Sequence, residues 1–102
     1  MSTKTVFFGY ISFLREKVDA AIEILSKREK DYLWSCFDPA RVVQDGPTYP
    51  YPNMGFSIIL ATDDAQEIIA DFETAIRQLP FLSCTLVVEK AGEERRIFDW
   101  HQ

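Results

Sequence analysis

The sequence predicts a single α+β domain spanning residues 1–102. Two segments carry apolar residues at helical spacing, and five shorter segments are alternating or continuously apolar, as strands are. Their order along the chain is β-α-β-β-α-β-β. The first six elements form the split β-α-β arrangement of a ferredoxin-like sandwich, with two helices on one face of a mainly antiparallel sheet and one further C-terminal strand. An all-antiparallel sheet with a different strand order is the competing topology.

The first strand and helix follow from the apolar pattern of residues 3–33. Both alternating faces of residues 3–11 are apolar, with Phe8 on one side and Phe7 on the other, which is typical of a strand inside a sheet. Ser12 is a suitable N-cap for the helix that follows. That helix is expected to run to about residue 32. Its apolar stripe consists of Leu14, Val18, Ala21, Ile22, Leu25, Tyr32 and Leu33.

The middle of the chain predicts an irregular strand, a loop and a short buried strand. Residues 34–43 are expected to form an edge strand bent near Pro39. Residues 45–55 (DGPTYPYPNMG) form a proline-rich loop, because prolines 50 and 52 lack the backbone N–H that a paired strand requires. Residues 56–61 (FSIILA) then form the buried strand.

The second helix is the clearest local signal. Asp63 and Gln66 have the spacing of a capping box, and Pro80 ends the helix. Its buried stripe consists of Ala65, Ile68, Ile69, Phe72, Ile76 and Leu79. Residues 82–89 alternate as a strand, a turn follows at residues 91–93, and residues 95–100 return as the last strand.

Charge is concentrated on this second helix. The net charge is −5, and residues 63–79 contribute −4 of it, from five acids against Arg77 alone. Nucleic acid is therefore an unsuitable ligand, because phosphate binding requires clustered lysine and arginine. A basic protein is the natural complement. No apolar run approaches the ~20 residues of a membrane span. The absence of a secretion signal and the two widely spaced cysteines favour a cytoplasmic protein with free thiols.

Catalytic, metal and cofactor signatures are missing from the sequence. His101 is the only histidine and lies one residue from the C-terminus, so Ser-His and Cys-His nucleophile systems are disfavoured. The isolated glycines form no phosphate loop. The acids of the second helix lack the additional ligands of a metal cage. We therefore expect a non-enzymatic protein without cofactor or metal, and a small enzyme of the monooxygenase or isomerase kind is disfavoured.

The proline-rich loop is the most informative stretch for binding. A stiffened loop that carries Tyr49, Tyr51 and Met54 presents large side chains at low entropic cost, as good binding surfaces do. The alternative is that these side chains fold back and cover the core of the domain.

In its small size, acidity, richness in aromatic residues and lack of catalytic residues, the chain resembles the bacterial immunity proteins that neutralise secreted toxins, including those of contact-dependent inhibition systems. The resemblance implies tight binding to one cognate toxin, often a basic nuclease domain, whose active site is masked. Under this reading Tyr49, Tyr51 and Met54 are the apolar anchors. Asp64, Glu67 and Asp71 supply the complementary charge.

Two other interpretations fit the same features. A phage-encoded anti-defence protein would also use carboxylates to mask a nucleic-acid-binding surface. The second is a ferredoxin-like regulatory or small-ligand-binding domain that forms a homodimer through its open sheet face. This second interpretation is motivated by the two apolar faces of the first strand, where Phe7 and Phe8 alternate.

Overall fold

The computed structural model describes residues 3–29, 31–43 and 51–102, which form an α+β fold. Its longer elements follow the order β-α-β-α-β-β. They are β1 (Thr3–Ser12), α1 (Val18–Lys27), β2 (Asn53–Thr62), α2 (Ala65–Ile76), β3 (Ser83–Lys90) and β4 (Arg96–His101). Three short 3-10 turns lie between them, at Arg15–Lys17, Trp34–Cys36 and Pro39–Arg41.

The four strands form one antiparallel sheet in the order β2-β1-β3-β4. The first strand is central, and Phe7 pairs with Ile58 on β2 and with Val88 on β3. Because β2 and β3 are both antiparallel to β1, they run parallel to each other on either side of it. Helix α2 connects them, which makes β2-α2-β3 a split β-α-β unit around β1. The expected antiparallel character of the sheet is confirmed.

The prediction of a strand over residues 34–43 is wrong. Two 3-10 turns occupy this segment, and its only strand-like contact is an isolated bridge between Val43 and Asn53. Side chains compete here for the backbone donors that a strand needs. Asp31 accepts hydrogen bonds from two backbone N–H groups at 2.9 and 2.7 Å, and Asp38 accepts one at 2.9 Å. The observed element order therefore has one strand fewer than β-α-β-β-α-β-β.

The helix starts also differ from those expected. Ser12 is the buried last residue of β1, and its Oγ lies 2.6 Å from Oγ of Ser83 on β3. Helix α1 therefore begins later, at Val18. At α2 the capping residue is Asp64, since its Oδ1 accepts from the backbone N–H groups of Gln66 and Glu67 at 3.0 and 3.4 Å.

The core lies between α2 and one face of the sheet. Phe72 of α2 contacts the rings of Phe7, Phe37 and Phe56, with centroid separations of 5.9, 5.9 and 5.4 Å. Helix α1 adds its own buried side chains to the same cluster: Val18, Ala21 and Leu25. Since successive side chains of a strand point to opposite faces, the other face of the sheet does not take part in this core.

Candidate protein-binding surfaces

Of the three anchors predicted in the proline-rich loop, the structure describes Tyr51 and Met54. Tyr49 lies outside the described residues. Tyr51 is 42% exposed and precedes Pro52, whose carbonyl oxygen accepts the N–H of Phe13 at 2.8 Å. Met54 is completely buried opposite Ile11, so its assignment as a partner-binding anchor is wrong. The reason is the alternation of β2, which turns Met54 into the core, whereas Tyr51 precedes the strand and its side chain is exposed.

The three predicted acidic contacts have different surroundings. Asp64 caps α2, so its carboxylate is already bonded to backbone donors. Glu67 is exposed in the first turn of α2. Asp71 accepts the hydroxyl hydrogen of Tyr32 on its Oδ2 atom at 2.5 Å. Of the three, only Asp71 makes a side-chain contact with another part of the fold.

The structure places Tyr51 and Asp64, two of the predicted contact residues, far apart. Tyr51 comes before the first residue of the ten-residue strand β2, and Asp64 follows its last residue. At 3.3 to 3.4 Å per residue, the strand separates them by about 33 Å. Tyr51 and Asp64 therefore lie at opposite ends of the sheet, too far apart for a small part of a partner surface to contact both.

A groove between residues 31–34 and α2 is the first surface that the structure itself reveals. Its volume is about 240 Å³, and we call it the acidic groove. It is lined by Asp31, Tyr32, Leu33, Trp34, Asp71, Thr74, Ala75 and Gln78. The indole of Trp34 is buried beneath the guanidinium of Arg28, which lies 4.5 Å from the ring centroid. The groove thus combines aromatic walls with two carboxylates.

The electrostatics of the acidic groove are visible at Tyr32. Desolvation, the hydrogen bond to Asp71 and the charges of Asp71, Asp31 and Glu67 together raise the pKa of Tyr32 from 10.0 to about 12. Each of these carboxylates disfavours a further negative charge at the same point. By the same argument they favour a positive charge, so the groove suits a cation.

Sequence patterns did not identify this groove. Tyr32 was assigned to the apolar stripe of the first helix, and nothing distinguished Asp31 from the other charged residues of that segment. The segment that carries them instead turns sharply, because Asp31 binds the backbone N–H groups of Leu33 and Trp34. The sequence signal that could have revealed this turn is Asp31 itself, one residue before Tyr32 and three before Trp34, since aspartate side chains commonly bond the backbone of turns.

The second surface is the sheet face opposite the core, which we call the open face. Its most exposed aliphatic side chains are Ile59 on β2 and Ile97 on β4, at 62% and 61% exposure. Phe8 on β1 and Val87 on β3 are half-buried and lie between them. An apolar band therefore crosses all four strands, and exposed patches of this kind mark interaction sites.

Charged groups border this apolar band on both of its long sides. On the side near the β3–β4 turn is a depression of about 530 Å³. It is lined by Lys4, Val6, Glu89, Lys90, Ala91, Glu93 and Arg95. Within it, Arg95 forms an ion pair with Glu89. On the opposite side of the band, Asp99 accepts the hydroxyl hydrogen of Thr85 at 2.7 Å.

The nucleophilic side chains show no activation. Burial raises the pKa of both Cys36 and Cys84 from 9.0 to about 12, so the thiolates needed for attack are scarce at neutral pH. His101, although next to the last residue of the sequence, is the last residue of β4 and pairs with Ser83. The described residues hold no group of three or more histidine, cysteine or acidic side chains arranged for a metal ion.

Neither helix in the described part of the chain has the length and apolarity required to cross a membrane. Comparison with known proteins adds no relative: no family model, no curated protein and no solved structure matches this chain.

Proposed function

We propose that this protein is a non-enzymatic binding protein of the inhibitor type, which holds a basic protein partner in the acidic groove. The observation that carries the proposal is the convergence of Asp31 and Asp71 on Tyr32 in a groove of about 240 Å³. A lysine or arginine side chain of the partner enters this groove. Its positive charge meets carboxylates that the fold has already placed together.

The chemistry of the groove suits such a side chain. A carboxylate accepts several hydrogen bonds, so Asp71 retains acceptor capacity beyond its bond from Tyr32. Hydrogen bonds between guanidinium or ammonium groups and carboxylates are among the strongest in proteins. The rings of Tyr32 and Trp34 line the groove beside the pair, and aromatic side chains are common at interface hot spots. Glu67, one turn before Asp71 on α2, extends the negative surface.

The inhibitor assignment rests on the charge of the chain and on its resemblance to immunity proteins. Residues 63–79 carry −4 of the net −5. A surface of this sign accelerates association with a basic partner and disfavours acidic ones. We infer that the partner is a cognate toxin or basic effector, such as a nuclease domain, and that binding covers its active site.

Two further inferences about the protein accompany this proposal. We place the fold on a ferredoxin-like plan with both helices on one sheet face, in which the second strand is reduced to the bridge between Val43 and Asn53. Support comes from the split β2-α2-β3 unit and from the single core cluster that α1 and α2 share. We also assign the protein to the cytoplasm, a reducing compartment that suits the free thiols of Cys36 and Cys84.

Affinity capture from a lysate of the source cells tests the groove. The test variant carries Glu67→Lys and Asp71→Lys, and the control carries Glu16→Lys and Glu94→Lys. The control makes the same change in net charge at two exposed residues outside the groove. We expect a basic protein to be recovered by the wild type and by the control, and to be lost by the groove variant. Thermal melting of all three proteins verifies that each is folded.

The inhibitor assignment needs a second measurement on the captured protein. Its enzymatic activity, or its toxicity when expressed alone, should fall when one equivalent of the wild-type protein is added. Equal loss of the partner by both charge variants would overturn the groove as the binding site. A partner that remains fully active in the complex would overturn inhibition while leaving binding intact.

A further inference from the structure

We propose that the open face binds the open face of a second copy of this chain, forming a two-fold symmetric dimer. The primary observation is the apolar band that extends from Ile59 through Phe8 and Val87 to Ile97. This inference is independent of the acidic groove, which involves α2 on the other side of the sheet.

The strand register arranges the open face in rows across the sheet. The central row is Ser57, Phe8, Val87 and Ile97. The row on one side contains Ile59, Val6 and Glu89, and Arg95 is paired with Glu89 there. The row on the other side is Gly55, Tyr10, Thr85 and Asp99.

A two-fold axis that lies across the strands at the central row makes this surface complementary to itself. Such an axis stacks each strand on its own copy and exchanges the two outer rows. Ile59 then faces Gly55 of the second copy. The most exposed aliphatic side chain of the face is thus placed over a glycine, which leaves room for it. Arg95 faces Asp99 of the second copy, which joins opposite charges. Phe8 and Ile97 face their own copies along the axis, as an isologous interface requires.

The size of the open face is sufficient for a weak, specific dimer. Four strands at about 4.8 Å spacing span about 19 Å, and eight residues at 3.4 Å span about 27 Å. These dimensions give a footprint of about 500 Å² per protomer, or about 1,000 Å² in total. That total lies at the lower limit for a biological interface. We expect an interface of this size to give a weak dimer that forms at micromolar concentrations or above, and both acidic grooves remain on its outer sides.

Sedimentation velocity of the purified full chain over a range from about 1 to 500 µM tests the dimer. We expect the wild type to change from monomer to dimer within this range. Ile59→Asp should raise the dissociation constant at least tenfold, because it places a carboxylate in the apolar band. Ala20→Asp is the matched control, since it adds the same charge at an exposed position of α1 and should leave association unchanged.

A charge exchange tests the proposed geometry separately. Arg95→Asp should weaken the dimer by bringing two carboxylates together, and adding Asp99→Arg should restore it. Failure of the exchange to restore association would overturn the stated two-fold arrangement. A wild-type protein that remains monomeric throughout, or an Ile59→Asp variant that dimerises normally, would overturn the second copy as the occupant of this face. None of these outcomes affects the separate proposal that the acidic groove binds a basic partner.

Discussion

A Cβ atom placed on Gly9 of β1 would overlap the backbone carbonyl oxygen of Thr85 on β3. The two strands approach so closely at this point that no side chain fits between them. Gly9 pairs with Phe56 on one side and with Leu86 on the other, both of which are core residues. This close approach therefore lies near the middle of β1, the strand that pairs with both β2 and β3.

Gly9→Ala is expected to destabilise the fold by roughly 1–3 kcal/mol or more, because β1 and β3 must move apart to admit the methyl group. Gly55→Ala is the matched control on β2. A Cβ at Gly55 has only one neighbour within 4 Å, the carbonyl oxygen of Gly9 at 3.8 Å, which is an ordinary contact. Urea unfolding of both variants checks the prediction, and equal losses of stability would contradict it.

Tyr51→Ala and Met54→Ala should separate the two roles of the proline-rich loop. The Tyr51 side chain is substantially exposed, so its removal should change the free energy of unfolding by no more than about 0.5 kcal/mol. Met54 is fully buried, and its truncation should cost about 2–5 kcal/mol. Chemical denaturation measures both. A large loss of stability for Tyr51→Ala would show that its ring packs on the core after all.

Desolvation of Tyr32, together with its hydrogen bond to Asp71, makes stability depend on pH in the alkaline range. The pKa of Tyr32 is raised from 10.0 to about 12 in the folded protein, so between these values the unfolded chain loses a proton that the folded chain retains. The stabilising contribution is complete below pH 10 and is lost as the pH rises through 12. Tyr32→Phe should remove this part of the alkaline loss, as measured by urea unfolding at several pH values. An unchanged pH profile in that variant would exclude Tyr32 as its source.

The two cysteines should react slowly with thiol reagents in the native protein. Burial raises the pKa of Cys36 and Cys84 to about 12, so the thiolate fraction at pH 8 is small. Modification by a chromogenic disulfide reagent should be about a hundredfold slower than in urea. Cys84→Ser should retain the faster native phase, because Cys36 is the less buried of the two. Rapid reaction of both thiols would contradict the packing around them.

The parts of the fold that sequence predicted well depend on periodicity. Phe72, Ile69 and Ile76 were placed on the buried stripe of α2, and all three are in the core. Periodicity failed at residues 34–43, where apolar side chains suggested a strand. Aspartate side chains took the backbone N–H groups of this region, and hydropathy does not register that competition.

The candidate surfaces were harder to predict because they depend on tertiary neighbours. Asp71 was identified by its charge, but its partner Tyr32 lies 39 residues earlier in the chain. Ile59 belongs to a continuously apolar segment, and only the pairing of β2 with β1 shows that it faces outward. In contrast, Met54 was placed on the surface because of its loop-like neighbours, although β2 already begins at Asn53.

The central position of β1 has a consequence for the order in which the protein assembles. Residues 3–12 leave the ribosome before the two segments with which they pair, residues 53–62 and 83–90. Synthesis of the chain between residues 12 and 90 takes roughly 4 to 16 s at translation rates of 5–20 residues per second. Until residues 53–62 have been made this apolar strand has neither of its neighbours, and until residue 90 it still lacks β3. The nascent chain therefore depends on β1 staying unaggregated until residue 90 has been made, and pairings of such long range make folding itself slow.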